Sequence, residues 1–147
     1  MSELAIPAAF ARIVRSRAGH ACEYCQLPQA TQEATFHVDH IRPRAAGGRT
    51  AIANLALACV GCSLRKGARL TGFDTITGKS VALFNPRRDP WTDHFEWTRS
   101  WRLKGRTARG RATVAALGMN RPSLIGIRRE LARLRKFPPL FVRGEGN

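Results

Sequence analysis

Residues 36–48 read FHVDHIRPRAAGG, and the fold turns on how this run is placed. The β-branched and aromatic residues of TFHVDHI favour a strand. RPRAAGGRTAIAN follows, punctuated by Pro43, Gly47 and Gly48, and reads as a loop. LALAC, residues 55–59, is short and apolar enough to pair with the first strand, and VGCSLRKGARL can start a helix. The order is therefore strand, loop, strand, helix. In a strand His37 and Asp39 point to one face and Val38 and His40 to the other, unless a bulge or twist brings neighbours together. An imidazole beside a carboxylate is more often a structural hydrogen bond than chemistry, so HVDHI alone does not establish a site.

Two C-x-x-C pairs bracket the run: CEYC (Cys22, Cys25) and CVGC (Cys59, Cys62), with 33 residues between them. Such knuckles can close a tetrahedral zinc site, clamping the intervening strand and loop. Four protein ligands leave no open position, so this zinc is expected to be structural. A redox dithiol is disfavoured on the expectation that neither pair opens a helix after a buried strand.

Further out, Pro7 to Gly19 predicts a lead-in helix with Phe10, Ile13 and Val14 at helical spacing and Gly19 as its stop. TGFDTITGKS reads as a turn-rich link, and VALFNPRRDPWTDHFEW mixes aromatics, prolines and arginines. Trp91, Trp97 and Trp101 are spaced like core or interface aromatics. RGRATVAALGMN and RPSLIGIRRELARLRKF predict two closing helices, the second with a stripe of Leu124, Ile127, Leu131 and Leu134 beneath an arginine-rich face. The fold class is α+β, and the length suits a single domain over 1–147: helix at 7–19, core at 20–70, extension at 71–147.

Charge sets the partner class. With 25 Lys plus Arg against 10 Asp plus Glu, the formal charge is +15. Four thiolates and one divalent ion would lower this only to about +13. Because basic residues recur from Arg12 to Arg143, the charge is expected to clothe a folded surface, and a polyanion is the expected partner. No run approaches the roughly 20 apolar residues needed to span a bilayer. The N-terminus lacks the pattern of a secretory signal. We expect a cytoplasmic protein without a membrane partner, in a reducing compartment where four cysteines serve as metal ligands.

Taken together, CEYC, FHVDHIRPRAAGG, NLALACVGC and SLRK resemble the HNH endonucleases, nucleases built on a ββα-metal finger, over residues 22–67. The tail resembles a branch of small bacterial HNH proteins. The resemblance implies a metal-dependent DNA endonuclease, RNA not being excluded, with structural Zn2+ and catalytic Mg2+ or Mn2+. It makes His40 the general base, Asp39 a catalytic-metal ligand and Asn54 the residue that holds the loop and orients His40. Ser63 departs from the pattern, because the family usually has His or Asn there to help hold the catalytic ion. Ser63 could act through a water, or His37 or His94 could supply the donor. Arg42, Arg44, Arg65 and Lys66 flank the motif and are placed for phosphates. The alternative is a non-catalytic zinc-containing nucleic-acid-binding protein derived from such a nuclease.

Overall fold

The structure is a computed structural model in which residues 5–138 are described; Arg143 lies outside them. Pro7 starts the first helix, α1 (Ala8–Arg17), where its fixed φ suits the entry, and the chain leaves through Gly19 and His20, both at positive φ. Only Val14 of the three apolar residues is fully buried, contributing about 2 kcal/mol by burial. Ile13 faces solvent, so the inward face is narrower than its spacing suggests.

β1 (His37–His40) pairs antiparallel with β2 (Leu55–Ala58), His37 opposite Ala58 and His40 opposite Leu55. β2 is buried along its whole length, as its unbroken apolar sequence requires. It runs directly into α2 (Val60–Lys66), which Cys59 caps by accepting from the Cys62 amide. The ββα order expected from the sequence is therefore present. The second cysteine pair does open a helix after a buried strand, contrary to the expectation above.

The stretch expected to be a turn-rich link is a hairpin of β3 (Thr71–Asp74) and β4 (Lys79–Ala82). Its polar residues make the turn: buried Asp74 accepts from the amides of Ile76 and Thr77 and from the Thr77 hydroxyl. A short helix, α3 (Trp91–His94), leads into a second hairpin, β5 (Phe95–Trp97) with β6 (Leu103–Gly105). Both strands are only three residues long, too short to show an alternating pattern.

The two closing helices are α4 (Ala108–Ala116) and α5 (Pro122–Arg133). Arg111 on α4 makes a bidentate pair with Asp74 at 2.8 and 3.0 Å, locking α4 onto the first hairpin. On α5 the buried residues are Leu124, Ile125 and Arg128; of the predicted stripe Leu124 is buried and Ile127 packs against the core, while Leu134 is exposed. Arg128 is drawn in because its guanidinium donates to the carbonyls of Met119 (2.7 Å) and Trp101 (3.2 Å) and lies 5.0 Å from the Trp97 ring centroid. The tryptophans form a chain, Trp91 to Trp97 to Trp101, closed by Phe137. Trp91 also donates to the Tyr24 carbonyl, tying this cluster to the first cysteine knuckle.

Candidate metal centre and active-site cleft

The four cysteines converge. Cys22 and Cys25 lie in the turn after α1, and Cys59 and Cys62 at the β2–α2 junction. In each knuckle the second cysteine's amide points at the first one's sulfur, at 3.4 Å in both. The four buried sulfurs all lie within 4.8 Å of one another, with Cys25 and Cys59 3.7 Å apart. A tetrahedron with zinc–sulfur bonds of about 2.3 Å has an edge of about 3.8 Å. The quartet is thus compatible with a structural zinc ion.

Hydrogen bonds from the other three cysteines favour Cys59 as the thiolate, while burial pushes Cys22 up and hydrogen bonding to its neighbours pushes Cys62 up. Metal uptake must therefore displace protons. The buried Arg128 guanidinium is the nearby positive charge: burial lowers its pKa, and Cys25 and Cys62 act to raise it.

The second feature is a cleft of about 330 Å³, lined by Asp39, His40, Arg44 and Ser63 among others. Strand alternation alone would separate Asp39 from His40. His40, however, ends β1, and the chain turns at Ile41, so both residues reach one cleft. The Asp39 carboxylate accepts no side-chain or backbone hydrogen bond from any described residue, which leaves a hard oxygen donor in the cleft suited to a divalent cation.

His40 is fixed on both sides. Its Nε2 lies 2.8 Å from Thr50 Oγ1, which also accepts from Arg44 Nη1 at 3.0 Å. Its carbonyl accepts from Lys66 Nζ at 3.1 Å. Burial pushes the His40 imidazole below its ordinary pKa; Arg44 adds to the effect and Asp39 opposes it. The ring is therefore neutral at neutral pH. If Nε2–H donates to Thr50, Nδ1 keeps its lone pair and can accept a proton.

Asn54 acts on the loop between the strands. Its Oδ1 accepts from the Arg42 amide at 2.9 Å, and its Nδ2 donates to the carbonyls of Arg42 and Arg49. Its own carbonyl accepts from the Ile41 amide at 2.8 Å. It meets His40 through the backbone rather than by direct contact. Gly48 lets the loop fold back, since a Cβ there would overlap the Arg42 carbonyl.

Ser63, in the first turn of α2, is nearly buried, and its Oγ lies 2.7 Å from His37 Nδ1. His94 is elsewhere, 2.7 Å from the hydroxyl of Thr107, which caps α4. Of the two histidines considered as extra donors, the fold brings His37 to Ser63 and sends His94 to a helix cap. Arg42, Arg44 and Arg65 are exposed, whereas Lys66 is 3% exposed and engaged with the His40 carbonyl. Thr50 went unread in the sequence, because a threonine in a glycine-bearing loop has no distinguishing pattern. The buried state of Lys66 was equally invisible, since a lysine at a helix end reads as solvated.

Residues 22–69, about a third of the chain, match the model of the HNH endonuclease family. The segment that holds the cysteine quartet and the cleft is thus similar to HNH endonuclease domains. Residues 71–138, with both further hairpins and the closing helices, lie outside the match. Neither a search of curated proteins nor one of solved structures gave a match. Among the described residues, no helix is long and apolar enough to cross a membrane.

Proposed function

We propose that the protein is a metal-dependent DNA endonuclease that hydrolyses phosphodiester bonds at the cleft between β1 and α2. The observation that carries this reading is the convergence of Asp39, His40 and Ser63 on one cleft, with His40 anchored through Nε2. Asp39 and Ser63, the latter paired with His37, would hold the catalytic Mg2+ or Mn2+. Such an ion supplies positive charge where negative charge grows on the phosphate and the leaving oxygen. His40 Nδ1 takes a proton from water as its oxygen attacks phosphorus. The bond from phosphorus to the 3′-oxygen breaks, leaving a 5′-phosphate, and the expelled 3′-oxygen takes a proton from solvent water to become a hydroxyl. Asn54 and Lys66 keep the His40 backbone in place, and Arg42, Arg44 and Arg65 attract the phosphate backbone. The cysteine quartet would hold a structural Zn2+ and so tie β2 and α2 to the first knuckle, in the reducing cytoplasm. Duplex DNA is the proposed substrate.

One observation favours a second reading, a non-catalytic zinc-containing binder: Ser63 is a short, weak donor whose oxygen is already engaged with His37. Parallel assays of DNA binding and cleavage for wild type, His40→Ala and Ser63→His separate the two. A nuclease loses cleavage and keeps most binding in His40→Ala. A folded, zinc-loaded wild type that does not cut, together with a cutting Ser63→His, identifies the binder.

A further inference from the structure

A cavity larger than the HNH cleft lies next to it. It is a hollow of about 630 Å³ on the other side of the catalytic loop, between that loop and the β3–β4 hairpin. Five cations line it: Arg42, Arg49, Lys66, Arg69 and Arg88. No Asp or Glu does. Among the described residues, the guanidinium groups of Arg49, Arg69 and Arg88 have no hydrogen-bond or ion-pair partner, unlike those of Arg87, Arg109 and Arg111. The interior is apolar, with Ile41, Leu70, Leu83 and Phe84 in its wall. It is therefore an apolar hollow with an unneutralised cationic rim.

The hollow and the cleft are neighbours along the chain twice over. Asp39 and His40 line the cleft and Ile41 and Arg42 the hollow; Gly67 and Ala68 line the cleft and Arg69 and Leu70 the hollow. Lys66 is the strut between them, lining the hollow while donating to the His40 carbonyl. A ligand in the hollow would thus lie next to a phosphate held at His40.

We infer that this hollow is a nucleotide pocket, which takes one unstacked nucleotide next to the scissile phosphate, its base against the apolar wall and its phosphates against Arg49, Arg69 and Arg88. The volume falls within the range of about 300–1,000 Å³ usual for small-molecule sites. An intact duplex presents its charged backbone outward and has no base free to enter a concave apolar site, whereas a flipped or unpaired nucleotide does. The inference rests on the nuclease reading for its choice of substrate but uses a separate surface. The pocket makes the enzyme selective for DNA in which one base is already unpaired, because there the unstacking cost has been met beforehand.

The test uses two 2-aminopurine duplexes of identical sequence, one with the fluorescent base bulged and one with it paired, in calcium buffer with the His40→Ala protein to prevent cutting. The bulged duplex should bind about tenfold more tightly than the paired one. Its fluorescence should change on binding as the base enters the pocket. Ala82→Trp and Thr71→Trp, at exposed cross-strand partners that both line the hollow, fill it and should abolish the preference. Arg69→Ala with Arg88→Ala should weaken binding of the bulged duplex.

Deoxyadenosine monophosphate as competitor separates the sources: displacement of the bulged duplex shows that the pocket also accepts a free nucleotide, and no displacement shows that it takes one only within a strand. Either result supports a nucleotide pocket when the preference is present. Equal affinity for the two duplexes in the unfilled protein, or a preference that survives both tryptophan variants with zinc retained, overturns it. Wild-type cleavage assayed in parallel keeps the two proposals apart, since lost selectivity with intact His40-dependent cutting sinks only this one.

Discussion

Thr50→Val tests whether the hydroxyl next to His40 sets up the base. Valine keeps the shape of threonine and removes one oxygen, and with it the contacts to His40 Nε2 at 2.8 Å and to Arg44 Nη1 at 3.0 Å. A net neutral hydrogen bond is worth about 1 kcal/mol, and the loss of a partner that fixes an imidazole's tautomer and orientation adds to it. Together these give a fall of about 10- to 100-fold in single-turnover cleavage, or about 1.4–2.7 kcal/mol in the barrier. Binding should change far less, because the exposed arginines remain. Burial and Arg44 depress the His40 pKa, so wild-type cleavage should rise with pH with a midpoint below the ordinary imidazole value of about 6.5. Thr50→Ser keeps the hydroxyl and should restore most of the rate. A Thr50→Val rate equal to wild type, with zinc content unchanged, would refute the proposed role of Thr50.

Three more outcomes follow from the structure. Arg128→Met removes the donor to the Trp101 and Met119 carbonyls and the cation near the thiolates, so it should cost about 3 kcal/mol in urea unfolding and speed zinc release to a chelator. The Arg111 guanidinium and the Thr77 hydroxyl hold Asp74 well below the usual carboxylate range. Its folded pKa is the lower one, so its stabilisation is present at neutral pH and fades as pH drops from about 4; Asp74→Asn should lower the neutral Tm and converge with wild type in acid. With a formal charge of +15, DNA affinity should fall steeply with salt: a log–log slope near −5 if about six phosphates are engaged, read by fluorescence anisotropy across a salt series.

The ββα core was legible because each of its signals is local: β-branched residues for β1, an unbroken apolar run for β2 and cysteine pairs at both corners. The hairpin of β3 and β4 was not, because its stability rests on Asp74 meeting Arg111, 37 positions away. The inward face of α5 was legible only in part, for a related reason. Arg128 is polar by type, and only two distant carbonyls and the Trp97 ring make its burial tolerable. Within the cleft, the family resemblance pointed to Asp39, His40 and Ser63, but strand alternation argued against the first two meeting. Their shared cleft depends on β1 ending at His40, a boundary that the sequence leaves loose by several residues. The bond from His37 to Ser63 joins a strand start to a helix start 26 positions on, and only the folded register brings them together.

The most direct measurement is nicking of supercoiled plasmid by the zinc-loaded protein in Mg2+, Mn2+ or EDTA, with His40→Ala alongside. The account predicts conversion to open-circular or linear DNA that requires a divalent ion and disappears in His40→Ala while DNA binding remains. No cutting by folded, zinc-loaded wild type in either metal, or equal cutting by His40→Ala, would contradict it.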